Sequence, residues 1–75
     1  MMAYVLISLA ECDEQRVLDE LLSLKEIQEA HVLFGEWDIL AKLEANNPEA
    51  AGTFVMEKIR SLPEVKLSST LIVAK

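Results

Sequence analysis

Residues 30–43 read Ala30-His31-Val32-Leu33-Phe34-Gly35-Glu36-Trp37-Asp38-Ile39-Leu40-Ala41-Lys42-Leu43, and this stretch decides the fold. After the turn, Ile39, Ala41, Leu43 and Ala45 alternate with Leu40, Lys42 and Glu44. That period of two is a strand with one face buried. Before the turn, residues 27–34 read as a second strand, with Ala30, Val32 and Phe34 on one face and Glu29, His31 and Leu33 on the other. Between them Gly35 supplies a backbone angle that other residues resist. The turn also holds the only tryptophan of the chain, a ring that no turn needs for its backbone.

Working outward, Ala3 to Leu9 is a β-rich run of strand length. Asp13 is placed to cap a helix, with Glu11 and Glu14 suited to the positive end of its dipole. Val17, Leu18, Leu21, Leu22 and Leu24 then form one apolar stripe at helical spacing. Downstream of the central strands, Asn47 as N-cap and Pro48 at the first helical position start a second helix. Its stripe is Ala51, Phe54, Val55, Ile59 and Leu62; Pro63 stops it, and Val65 to Ala74 is the last strand. The order is β-α-β-β-α-β. An internal echo supports it, because "SLKEIQEAHVLF" (23–34) and "SLPEVKLSSTLI" (61–72) match at the helix end, the Glu and the start of the strand.

Two such halves predict an α+β, ferredoxin-like plait: a four-stranded antiparallel sheet with both helices on one face. The covered face is expected to hold Val5, Ile7, Leu9, Val32, Phe34, Ile39, Ala41, Leu43, Leu67, Leu71 and Val73. The open face would carry Tyr4, Leu6, Ser8, Glu29, His31, Leu33, Leu40, Lys42, Glu44, Ser68, Thr70 and Ile72. Half of that second face is apolar, which marks an interaction surface. Sheet-to-sheet pairing with a second copy covers it, and a two-fold dimer is the commonest closed solution.

Composition points the same way. A chain of 75 residues is one small domain, and such a chain buries only about 60% of the surface its unfolded form exposes. Small domains are rescued by disulfides, a metal or oligomerisation. Cys12 is the only cysteine, which rules out an internal disulfide and leaves no Cys/His cluster for zinc or iron–sulfur. With 52% hydrophobic residues, oligomerisation is the remedy expected. The net charge is −6, and the basic residues are scattered, which excludes direct nucleic-acid binding as an expectation. The apolar start lacks a positive n-region and is too short to span a membrane, so a reduced cytoplasmic setting is expected.

Catalytic chemistry is sparse. His31, the only histidine, has Glu29 two residues back on the same face; a solvated or interface pair is the favoured reading over a general base. Cys12 lies among acids that disfavour its thiolate. Two glycines, at 35 and 52, are too few for a phosphate-binding or dinucleotide loop. Glu11, Asp13 and Glu14 could attract a hard cation, but a charged helix start explains them. No cofactor is expected. The turn offers more: amides around Gly35 for a carboxylate, Glu36 and Asp38 for an ammonium, and Trp37 as an apolar wall. Together these are what a free α-amino acid needs. A hairpin whose Trp packs on a neighbouring subunit fits the same residues.

The stretch "VLFGEWDILAKLEA" resembles the hairpin of the Lrp/AsnC effector-binding (RAM) domain, with its Val-x-x-Gly-x-aromatic-Asp pattern at Val32, Gly35, Trp37 and Asp38. "FVMEKIRSLPEVKLSSTLIV" is similar to the second helix and last strand of that family; Val65, Thr70 and Val73 fit, and Ser68 stands where Thr is usual. The resemblance runs from Ala3 to Val73. It implies a single domain over residues 1–75, a stand-alone RAM module without the helix-turn-helix, dimerising through its sheet, with dimers joining into a ring, often an octamer. It implies an amino-acid effector bound between dimers near the turn, at Gly35, Glu36, Trp37 and Asp38, with Ser68, Ser69 and Thr70 on the last strand. A helix-turn-helix relative of the family would be the partner that reads the signal.

Three readings follow. One is a non-enzymatic, oligomeric amino-acid sensor that modulates a transcription regulator of amino-acid metabolism. Another is a structural ring with no ligand. The third is a cofactorless enzyme of the dimeric α/β barrel type, which ranks last because the expected core face is almost wholly aliphatic. An ACT-type sensor shares the plait but uses different loops.

Overall fold

A computed structural model of the chain describes residues 1–11 and 13–75; the reading of Cys12 falls outside the described residues. Four strands form one antiparallel sheet: β1 (Met2–Leu9), β2 (Ile27–Val32), β3 (Ile39–Glu44) and β4 (Val65–Ile72). Their order across the sheet is β2-β3-β1-β4. Helix α1 (Glu14–Leu22) links β1 to β2, and α2 (Pro48–Phe54) links β3 to β4 through a π-helical turn, Val55–Ile59. This is the βαββαβ plait expected of the hydrophobic pattern.

The helix starts are set by their caps. Asp13 accepts from the Gln15 amide at 3.1 Å, and Asn47 accepts from the Ala50 amide at 2.7 Å, with Pro48 following. Each satisfies a donor that the first turn would otherwise leave orphaned. Both helices end in the same way, which is what the internal echo encodes. Leu24 N–H donates to Leu21 C=O (3.0 Å) and Ile27 N–H to Leu24 C=O (3.1 Å); Leu62 N–H donates to Ile59 C=O and Val65 N–H to Leu62 C=O, both at 3.1 Å.

The core lies between one sheet face and the two helices. Ala3, Val5 and Ile7 from β1 and Ile39, Ala41 and Leu43 from β3 are fully buried against Val17, Leu21, Ala51 and Ile59. Those two strands are central, so both their edges are paired and one face is covered. Truncating Ile39 or Leu43 to Ala would cost about 2–5 kcal/mol, a large part of the stability of a domain this small.

Two expectations need correction at the edges. Phe34 was expected in the core at the end of a strand over 27–34, yet β2 stops at Val32 and Phe34 is fully exposed at 107%. The ladder closes one residue earlier than expected: Leu33 N–H donates to Asp38 C=O at 2.8 Å, which leaves Phe34 beyond it in the turn. On β4 the two faces are interchanged. Ile7, Val5 and Ala3 lie opposite Ser68, Thr70 and Ile72, so those three share the helix side, whereas Leu67 and Leu71 lie opposite Ser8 and Tyr4 on the open side. A one-residue change of register moves every side chain to the other face. Leu67, Leu71 and Val73 are accordingly exposed, as is Val32 on the other edge strand.

The open face therefore carries Tyr4, Leu6 and Leu40, half-buried, beside exposed Leu67 and Leu71. Leu22 of the predicted helical stripe is also exposed, while Val17 and Leu21 are buried.

Gly52 sits inside α2 on its exposed side with helical backbone, and a Cβ there would meet nothing within 4 Å. Gly52→Ala is expected to stabilise the folded chain by about 0.5–1 kcal/mol, read by urea denaturation. A loss of stability would show that this helix face is already in close contact with another surface.

Candidate functional site

At the end of the sheet nearest the turn, a hollow of about 240 Å³ is lined by Ser8, Glu36, Trp37 and Leu67. Ser8 and Leu67 are directly opposed across β1 and β4. Glu36 and Trp37 come from the β2–β3 connection. The site thus joins the two ends of the chain pattern, hairpin and last strand, at one place on the open face.

Asp38 holds the turn there. Its backbone N–H donates to Ile7 C=O at 2.9 Å, and its C=O accepts from Leu33 N–H. Its carboxylate Oδ2 accepts from the Leu9 N–H at 2.6 Å, in a partly buried setting. Leu9 is where the β1–β4 register shifts, between Ser8 and Leu9. The β1–β3 ladder ends at the Ile7–Ile39 pair, so the next amide on that edge of β1, Leu9 N–H, has no strand partner, and Asp38 supplies the missing acceptor. A hydrogen bond to a charged group is worth about 1.5–3 kcal/mol. Gly35 has φ +155°, a conformation that side chains disfavour, and so lets the chain reverse ahead of Trp37.

Of the residues singled out in the sequence, Glu36 and Trp37 line the hollow directly. Gly35 shapes the turn, and one oxygen of Asp38 is engaged with the Leu9 amide. Ser68, Ser69 and Thr70 lie on β4 outside the hollow's lining; Ser69 is on the open face opposite Leu6, while Ser68 and Thr70 share the helix side. Ser8 and Leu67 were missed as site residues. Ser8 was already placed on the open face, but Leu67 needed the β4 register, which depends on the bulge. Among the described residues, no group of three or more His, Cys, Asp or Glu could hold a metal ion. No described helix is long and apolar enough to cross a membrane.

The His31–Glu29 pair is formed, at 3.3 Å, with side chains 58% and 52% exposed on the open face. Two other hollows lie away from the turn. One is lined by Glu26, Leu43, Glu44, Ala45, Asn46, Ala50 and Phe54; the other runs along α2 past Gly52 and Met56. Neither brings together residues from the turn.

The chain is thus a βαββαβ plait with a small hollow at its hairpin. The sequence profile of the Lrp/AsnC ligand binding domain matches residues 2–75, and the chain belongs to that family. It is 34% identical over 59 residues to an uncharacterised HTH-type transcriptional regulator of Pyrococcus furiosus, a match covering 79% of this chain and 39% of the regulator. The chain thus spans about two fifths of the length of that relative. The crystal structure of FFRP-DM1 superposes with a TM-score of 0.90 at 36% identity, covering 96% of each chain. Escherichia coli AsnC superposes with a TM-score of 0.88 at 28% identity, covering 99% of this chain and 50% of AsnC.

Asp38→Ala leaves the Leu9 amide unpartnered and is expected to destabilise the fold by about 1–3 kcal/mol. It should also raise the quenching of Trp37 fluorescence by acrylamide, while Asp38→Asn, which keeps an acceptor, restores most of both. Equal behaviour of Ala and Asn variants would rule out the carboxylate bond as the anchor.

Proposed function

We propose that this chain is a non-enzymatic, oligomeric module that binds a free amino acid at the Trp37 hollow and modulates a transcription regulator. The observation that carries the reading is the convergence of Glu36 and Trp37 with Ser8 and Leu67 in one hollow. An aromatic wall, an apolar wall, a hydroxyl and a carboxylate suit a small zwitterion with an organic side chain. Membership of a family of ligand-binding domains supports an effector role. The relatives that carry a helix-turn-helix suggest the partner: a DNA-binding member of the family, joined through mixed assembly or through a shared ring. A reduced cytoplasmic setting goes with that role.

The assembly proposed is a sheet-to-sheet dimer, with dimers closing into a ring, an octamer in the commonest arrangement. Tyr4, Leu6, Leu40, Leu67 and Leu71 form an apolar open face that a second copy would cover. A neighbouring dimer seated over the turn would complete the hollow. Ligand bound between dimers stabilises only the assembled state, and this is how binding becomes a signal. The fully exposed Phe34 favours a second use of the same turn, as an assembly contact between dimers.

Catalysis is not part of the proposal. The His31–Glu29 pair stands on an open surface, outside the residues that line the hollow.

Trp37 is the only tryptophan, so its fluorescence reports the hollow alone. Titration with the proteinogenic amino acids should give a saturable change for a few of them, with a rise in mass by light scattering on the same samples. No change for any, with a mass well above a dimer, would assign the turn to assembly alone. For the dimer, Leu71→Glu places a charge on the exposed open face without touching the core. The variant should remain folded by circular dichroism but sediment as a monomer; a variant that still dimerises would exclude this face.

A further inference from the structure

Taking the Trp37 hollow as the effector site, we infer that its ligand carries a positive charge beyond the α-ammonium: an ammonium or guanidinium group on a methylene stem. Glu36 is the charged residue of the lining, and no Lys, Arg or His stands beside it there. An anionic side chain entering the hollow would meet a carboxylate with no cation to offset it. A cation meets that carboxylate and the indole of Trp37, the aromatic ring that attracts cations most strongly through its face.

The remaining walls fit the rest of such a ligand. Leu67 lines the hollow as an apolar wall, and Ser8 faces it across the strand pair. A flexible methylene stem lies well against Leu67 and Trp37. Asp38 does not line the hollow and its Oδ2 accepts from the Leu9 amide, so both positive groups of such a ligand draw on the one lining carboxylate, Glu36, with the Trp37 ring beside it. The field of the whole molecule acts in the same sense. With a net charge of −6, it draws cations toward the surface and slows the approach of anions.

Two sources carry this chemistry: amino acids with basic side chains, and the amines left when such amino acids lose their carboxyl group. Isothermal titration calorimetry, with Trp37 emission recorded in parallel, distinguishes them. The probes are lysine, arginine, cadaverine, agmatine, glutamate and norleucine, the last matching lysine in its carbon chain without the terminal charge. Lysine or arginine should bind about tenfold or more tightly than norleucine and glutamate, with a Trp37 response, an advantage of the size a cation–aromatic contact supplies.

Glu36→Gln, at an exposed position, should fold normally and reduce lysine binding to the norleucine level. Lysine well ahead of cadaverine places the α-carboxylate in the recognition; equal binding makes the cation sufficient. Norleucine or leucine binding as tightly as lysine, or an unchanged Glu36→Gln variant, overturns the inference and leaves the effector reading intact. Heat without any Trp37 response places the cation elsewhere and overturns it as well. Silence from all probes and from the neutral amino acids overturns both.

Discussion

The bond from the Leu9 amide to the Asp38 carboxylate organises the end of this molecule where ligand chemistry is possible. It answers a local problem. The β1–β3 ladder ends at Ile7–Ile39 and leaves the next amide on that edge of β1, the Leu9 N–H, without a strand acceptor. Asp38 takes that donor and in doing so fixes the start of β3 against the end of β1. Trp37 and Glu36 project from a turn that Asp38 ties to Ile7 of β1 and to Leu33 across its base. The hollow is a by-product of closing the sheet, walled by the residues that the closure leaves at its edge.

Much of the fold was legible in the residues. The alternation of Ile39 to Glu44, the caps at Asp13 and Asn47, and the stripe of Ala51, Val55 and Ile59 each survive in the structure because each is local. A strand period, a side-chain acceptor at a helix start and a four-residue spacing need no knowledge of neighbours. The misreadings have the opposite character. Whether Leu67 or Ser68 faces the helices depends on how β4 lies against β1: Leu67, Leu71 and Val73 alternate with Lys66, Ser68 and Thr70, which taken alone reads as a core face. Pairing turns that apolar set to the open side, so register is set by the partner strand and by the bulge. Phe34 was misplaced for a related reason: its apolar character continued the strand pattern, but the ladder had already closed at Leu33.

The candidate site divided along the same line. Glu36 and Trp37 were legible because an acidic residue and a lone tryptophan in a turn ask for a purpose that backbone geometry does not supply. Asp38 looked like their equal and proved to be the anchor that positions them. Ser8 and Leu67 were invisible as a pair until the cross-strand register was known. Phe34, Leu67 and Leu71 are exposed at this end and on the open face of the sheet. The hollow lies beside that exposed apolar surface, the face on which the proposed dimer would form.

On the proposed function, a small effector acts at the turn hollow and not at the hollows beside α2 or around Glu26 and Phe54. Amide and indole correlation spectra of the ¹⁵N-labelled protein, with and without an equimolar mixture of the proteinogenic amino acids, test it most directly. Shifts concentrated at Ser8, Glu36, Leu67 and the Trp37 indole N–H are the predicted result. An unchanged spectrum, or shifts confined to Met56 and Gly52 on α2 or to the hollow around Glu26 and Phe54, would contradict it.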